Sequence, residues 1–184
     1  LRVPRFEQAI APDEWPIPSV RGVGGSLVYF VDAATREAMW AHEFPAVLEA
    51  EAPPLLSRID HVAQTMQYEE FLSWLLFYVG LFDVRKTPQL EIADPMGLVQ
   101  SQAVQTPDRA MRITLNGSLA AQSLSSRFIQ NYFGAGVQHI AFETQDIFAV
   151  AEQAKADGLE RLDIPHNYYD DQEARWGLDP ALTD

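Results

Sequence analysis

Two stretches of the chain share one pattern of apolar and polar positions. IDHVAQTM (59–66) and VQHIAFET (137–144) both read apolar, polar, His, apolar, Ala. Each leads into a run with apolar residues at helical spacing, YEEFLSWLLFYVG (68–80) and DIFAVAEQAKADG (146–158). Each run closes on Gly-Leu, and the offset from histidine to glycine is 19 residues in both (80 − 61 and 158 − 139). The pattern predicts one strand–helix unit used twice, with its histidine at an equivalent place in each copy.

Around the first copy the elements follow in order. RIDHVA (58–63) reads as a strand, and 68–80 as a helix with Glu69 and Glu70 in its first turn, where the helix dipole favours negative charge. FDVRK (82–86) reads as a strand. MGLVQSQAVQT (96–106) and RAMRITLN (109–116) read as a hairpin turning at Pro107-Asp108. The order is β-α-β-β-β, an α+β module. Residues 118–133 carry a short amphipathic pattern, with Leu124, Phe128 and Ile129 on one side, and read as a connecting helix. The second copy supplies a strand over 136–144, a helix over 146–158 capped by Asp146 or Thr144, and a strand ERLDI (160–164) before 165–184 runs out. Its two further strands are expected beyond Asp184.

At the other end, residues 1–25 are rich in Pro and Gly and read as a loop, followed by the strand SLVYFVD (26–32). The expected organisation is the end of a preceding module over 1–32, a linker over 33–56 containing EAEAPP, a βαβββ module over 57–117, the connecting helix over 118–133, and the first part of a second module over 134–184. The GVGG run precedes a strand, whereas a phosphate-cradling loop follows a strand and opens a helix.

Composition removes several classes of function. Among 184 residues the formal net charge is −13, which argues against nucleic acid and against an anionic membrane as partners. The most apolar run, FLSWLLFYVGLF (71–82), is shorter than the roughly 20 residues a membrane span needs, so it reads as a buried helix. There is no cysteine, which excludes disulfides, thiolate zinc sites and Cys nucleophiles, and fits a cytoplasmic protein. The chain opens on Leu1 with no signal-like segment and is expected to begin mid-protein.

The repeated histidines carry the candidate chemistry. Strand alternation puts His61 on one face with Ile59 and Ala63, and His139 with Val137 and Ala141. A single histidine on an apolar strand face is most often a core residue. A matched pair in a repeat points to two imidazoles converging on one ion, as in the facial triad of two histidines and a carboxylate. No third ligand stands out: Glu143 shares the His139 face but lies about 13 Å along the strand, and Asp60 is expected on the face opposite His61. His42 and His166 fall in segments without a clear pattern. Ser125 and Ser126 adjoin no nucleophile elbow. DDQE (170–173) reads as a solvated face, and Tyr168 and Tyr169 as candidate pocket residues.

Against this background, the duplicated β-α-β-β-β order resembles the vicinal-oxygen-chelate superfamily. GAGVQHIAFETQDI (134–147) is similar to the C-terminal half of 4-hydroxyphenylpyruvate dioxygenases, IDHV (59–62) to that family's first histidine strand, and NYYDD (167–171) to its P-x-x-Y-Y segment. The resemblance implies tandem βαβββ modules in a curved mixed sheet with helices outside. It also implies His61 and His139 as two metal ligands, with a third, a Glu, beyond Asp184. Ser101 and Asn116 sit where the family places polar substrate contacts. Two positions depart from it: Thr114 stands for Pro in an R-I-P-L-N-like run, and Arg127 stands for the Gln of a Ser-Gln pair. The second departure makes Arg127 a candidate pocket residue and argues against 4-hydroxyphenylpyruvate as substrate. The ion implied is divalent, Fe(II) by family, with magnesium, manganese or cobalt as alternatives.

IPSVRGVGGSLVYFVD (17–32) and WGLDPALTD (176–184) resemble bacterial fusions in which a TIM barrel precedes a dioxygenase-like half. That resemblance implies a parent 3-dehydroshikimate dehydratase in aromatic catabolism (quinate and shikimate degradation), with the lyase site and its metal in the barrel. The implied partners are that barrel, a small-molecule carboxylate ligand and further copies of the chain. Three functions stand open: a metal-binding, dioxygenase-like domain of such a dehydratase; an active Fe(II)-dependent 2-oxo acid dioxygenase; and a metal-free small-ligand module.

Overall fold

The computed structural model describes residues 3–44, 54–94, 96–162, 164 and 166–177. These fall into two compact units, parting between Thr144 and Gln145.

The first unit holds two sheets. Near the N-terminus, β1 (Arg5–Phe6), β2 (Ser19–Arg21) and β3 (Leu27–Tyr29) form a three-stranded antiparallel sheet. A short 3₁₀ turn, Val23–Gly25, joins β2 to β3. The segment expected as loop therefore contains two strands, each too short for a period-2 signal. The helix α1 (Arg36–Glu43) follows within the stretch expected as linker. Asp32 accepts hydrogen bonds from the backbone N–H of Ala34 and Thr35 ahead of it, and the Pro pair that suggested a linker lies at its far end, partly outside the described residues.

The second sheet is the expected module. Its elements are β4 (Leu56–Gln67), α2 (Tyr68–Leu81), β5 (Arg85–Lys86), β6 (Leu90–Asp94), β7 (Gly97–Gln105) and β8 (Arg112–Ser118). After α3 (Leu124–Tyr132) comes β9 (Gly136–Thr144). The strand order is β5-β7-β8-β4-β9, with β6 also paired to β7. β4 and β8 run parallel, and the other pairs are antiparallel. β6 was missed because Pro88 and a short LEIAD run give little periodicity.

Helix α2 forms because Gln67 and Glu70 make a reciprocal capping box and no Gly or Pro interrupts its first three turns. It buries Phe71, Leu75 and Tyr78 against Met66, Val104 and Leu115 of the sheet. Val23 from the 3₁₀ turn is fully buried in this same cluster, beside Ala135. Gly24 makes that possible. Its φ is +63°, and a Cβ there would lie 1.7 Å from the Ala135 carbonyl oxygen. Val23 thus ties the 3₁₀ turn to the module's core.

The GAGVQH stretch has a local rationale. Phe133 ends α3 in the left-handed conformation (φ +62°), as a chain reversing out of a helix requires. Gly136 leaves room for the Tyr132 ring, which a Cβ would meet at 2.3 Å.

The second unit, described by itself, contains α4 (Ile147–Ala156) and α5 (His166–Trp176). Asp146 caps α4, accepting from the N–H of Phe148 and Ala149 at 3.0 Å each. Residues 160–162 and 164 form no strand. The tail read as running out is helical over α5, with His166 at its start and the Tyr168 and Tyr169 rings edge to face at 5.6 Å. No helix among the described residues is long and apolar enough to cross a membrane.

Candidate functional site

The two copies of the repeated phrase pair with each other. β9 lies antiparallel beside β4, with Ala63 opposite His139 and His61 opposite Ala141. Residues paired across strands project to the same face, so the two histidines sit diagonally on one face of the sheet. Their ring centroids are 5.6 Å apart, with the planes at 79°. Convergence was expected; the register behind it was not. The pairing slips three times: Ser57 and Asp60 are extra residues on β4 ahead of His61, and Gln138 is an extra residue on β9. Such bulges shift the alternation of side chains. Val137 pairs with Gln64 rather than with a residue of the histidine face, and Ile59 pairs with Phe142. The expectation that Ile59 and Val137 share the histidines' faces is therefore corrected.

The bulge also corrects the expectation for Asp60. Its Oδ2 lies 2.7 Å from His61 Nδ1, and Arg112 Nη1 approaches the same oxygen at 3.4 Å. The hydrogen bond with His61 lowers the Asp60 carboxyl below its usual range, the nearby Arg112 charge adds to this, and partial burial opposes it. The His139 imidazolium is disfavoured, first by partial desolvation and then by the neighbouring His61. The lowered His139 value suits a neutral imidazole, the form in which that side chain ligates a metal.

Glu143 is engaged elsewhere. Arg58 holds its Oε2 through Nε at 2.9 Å and Nη2 at 2.7 Å. Among the described residues no cluster of three His, Asp or Glu side chains could hold an ion. The donor set fits a divalent metal as two imidazole ligands, one of them backed by a carboxylate, with a third ligand not among them.

The other predicted pocket residues divide. Ser101 is opposite Asn116, and Asn116 is opposite Thr65, across β7, β8 and β4. Since Thr65 lies two residues from Ala63, this row shares the histidine face. Ser101 and Asn116 are 5% and 7% exposed, and their side chains make no hydrogen bond among the described residues. Thr65 donates to Gln138 Oε1 at 3.1 Å, so the bulged Gln138, which sequence reasoning passed over, joins the row. Arg127 lies exposed on α3. Ser125 and Ser126 are buried on that helix, with Ser126 hydrogen-bonded to Ser123 and Ala120. His42 sits on α1, its ring bonded to the Asp13 carbonyl and tilted against Trp15.

This architecture, a strand, a helix and four further strands (β4, α2, β5 to β8) with the first strand paired to its own repeat, is an α+β fold of the vicinal-oxygen-chelate type. No protein-family model matches the chain. Individual proteins do. Over 95% of its length the chain is 41% identical to a 3-dehydroshikimate dehydratase of Pseudomonas aeruginosa and 38% identical to that of Pseudomonas putida, spanning 28% of each. It is 30% identical to a 4-hydroxyphenylpyruvate dioxygenase of Pseudomonas aeruginosa over 88% of the chain and 46% of that protein. Among solved structures, a xylose isomerase-like TIM barrel/4-hydroxyphenylpyruvate dioxygenase fusion protein superposes with a TM-score of 0.71 at 34% identity, over 99% of this chain and 28% of that one. A 4-hydroxymandelate synthase variant from Streptomyces coelicolor shares the fold, with a TM-score of 0.67 at 22% identity over 84% of this chain and 45% of its own. The chain is thus a relative of 3-dehydroshikimate dehydratases and of 4-hydroxyphenylpyruvate dioxygenases, and it spans well under half the length of the dehydratases it matches.

Proposed function

We propose that the chain is the metal-binding, dioxygenase-like domain of a 3-dehydroshikimate dehydratase. In this reading the lyase chemistry, dehydration of 3-dehydroshikimate to protocatechuate in aromatic catabolism, belongs to a TIM barrel of the same protein. His61 and His139 hold a divalent ion, Fe(II) by family, with a Glu outside these residues as third ligand. The observation that carries the reading is the convergence of the two histidines from paired strands, 5.6 Å apart. The dehydratase relatives and the fusion structure support the assignment to a dehydratase. A cytoplasmic location and a homo-oligomer belong to the same proposal.

When bound, such an ion supplies Lewis acidity and open positions for an oxygen ligand. The chain's own contribution is orientation. Ser101 and Asn116, with little exposed surface and no side-chain hydrogen bond among the described residues, offer hydrogen bonds to a small-molecule carboxylate on the histidine face, and Arg127 is a weaker candidate because it is exposed. Those two polar side chains on the histidine face also favour a second reading, in which the face is an active 2-oxo acid dioxygenase site.

The test is metal per chain in the full-length protein after dialysis, for wild type, His61→Ala and His139→Ala. Loss of about one equivalent in each variant is expected, since a two-imidazole site does not survive removal of either. Unchanged content in both overturns the proposal. Oxygen uptake with a panel of 2-oxo acids then separates the two readings.

A further inference from the structure

We propose that Asp60 is a positioning residue that holds His61 in the Nδ1–H tautomer, so that Nε2 is the nitrogen left to bind on the face shared with His139. Its value to a metal rests on the function proposed above; the tautomer itself does not.

In a regular strand Asp60 would project away from His61. The extra residue in the β4–β9 pairing turns it back, and its Oδ2 lies 2.7 Å from Nδ1. An ionised carboxylate only accepts hydrogen bonds, so the proton between them belongs to the ring. A neutral imidazole carries one proton, and fixing it on Nδ1 leaves the lone pair on Nε2. Arg112 steadies the carboxylate from the other side, its Nη1 at 3.4 Å from the same oxygen. Arg112 keeps that orientation although its Nε is buried without a hydrogen-bond partner. The three groups reach across β8 and β4, so the ring's orientation is tied to the sheet rather than to a flexible side chain. Asp60 does not join the two histidines as a ligand, because its oxygen is engaged at Nδ1 and no three-group cluster exists among the described residues.

The experiment uses the full-length protein, ¹⁵N-labelled at histidine and stripped of metal. Long-range ¹H–¹⁵N correlations read the tautomer, and the His61 signals are assigned by their loss in His61→Gln. Wild type is expected as Nδ1–H. Asp60→Ala is expected to move His61 toward the Nε2–H form, while Asp60→Asn, which keeps an acceptor oxygen, retains Nδ1–H. Cobalt(II) affinity of the site, taken as the difference from His61→Gln, is expected to fall about 10- to 100-fold in Asp60→Ala and less in Asp60→Asn. A wild-type His61 found as Nε2–H overturns the proposal without any variant, as does an unchanged tautomer in a folded Asp60→Ala. If the tautomers follow the expectation while cobalt binds equally in wild type, His61→Gln and His139→Ala, the role of Asp60 stands and the metal-binding function falls.

Discussion

Gly24 offers the sharpest test of how the N-terminal segment belongs to the module. Replacing it with Ala puts a side chain at φ +63° and a methyl 1.7 Å from the Ala135 carbonyl oxygen, which is backbone and cannot turn aside. A non-glycine residue in the left-handed region costs about 1–2 kcal/mol. The collision lifts the 3₁₀ turn away from β9 and exposes Val23, now fully buried; losing that burial costs roughly 1.5–3 kcal/mol. The expected loss is about 3–5 kcal/mol. Gly25→Ala is the matched control. Its φ is +79°, but the nearest atom to a new Cβ is Arg21 Nη1 at 4.0 Å, so only the conformational cost applies. Urea denaturation of both variants, compared at similar m-values, measures the difference. Equal destabilisation would refute the argument, because it would mean that the turn can leave the sheet without taking Val23 out of the core.

Other consequences are open to direct measurement. Tyr78 donates to Gln64 Oε1 at 2.7 Å inside the core, so Tyr78→Phe should cost about 1–3 kcal/mol by leaving that oxygen unpaired; urea denaturation reads it. Burial pushes the Tyr78 phenol up to about 12, so alkaline absorbance titration should find one tyrosine ionising well after the exposed ones. In the metal-free protein His139 should titrate below the usual histidine value, because its folded-state pKa is lowered. Linkage then has the unfolded chain take up the proton first, so this contribution is intact above about pH 6.5 and is lost as pH falls through the folded value. An NMR titration midpoint at or above that of a free histidine would contradict it. Glu143→Gln should leave metal content unchanged, since Arg58 rather than an ion engages that carboxylate.

Much of the module could be read from pattern. The repeated phrase located both histidine strands, apolar spacing located α2, and alternation around Pro107-Asp108 located β7 and β8. What escaped depends on events that leave no period. A bulge is a single extra residue, so nothing in IDHV or VQHI announces that Asp60 turns toward its neighbour or that Val137 leaves the face of His139. Strands β1 to β3 have two or three residues each and owe their existence to pairing across sequence. The glycines before β3 read as a turn, but the reason for Gly24 is the carbonyl of Ala135, more than a hundred residues away. The helix α5 was hidden behind Pro165 and a polar composition, and the strand expected over 160–164 had only a weak alternation behind it. Ser101 and Asn116 came from the resemblance, and the pairing of β7, β8 and β4 puts their positions on the histidine face. Arg127 rested on alignment alone and lies exposed.

The pairing of β4 with β9 has a bearing on how the site comes into being. His61 and His139 are 78 residues apart in the chain (139 − 61), and the strands that carry them meet only after α2, the hairpin and α3 have been laid down between them. Contacts of such long range form late and slowly compared with local helices and hairpins. A nascent or partly unfolded chain therefore presents two separate imidazoles and no site. Under the proposed function, an ion bound to the pair therefore reports that β4 and β9 have closed in register.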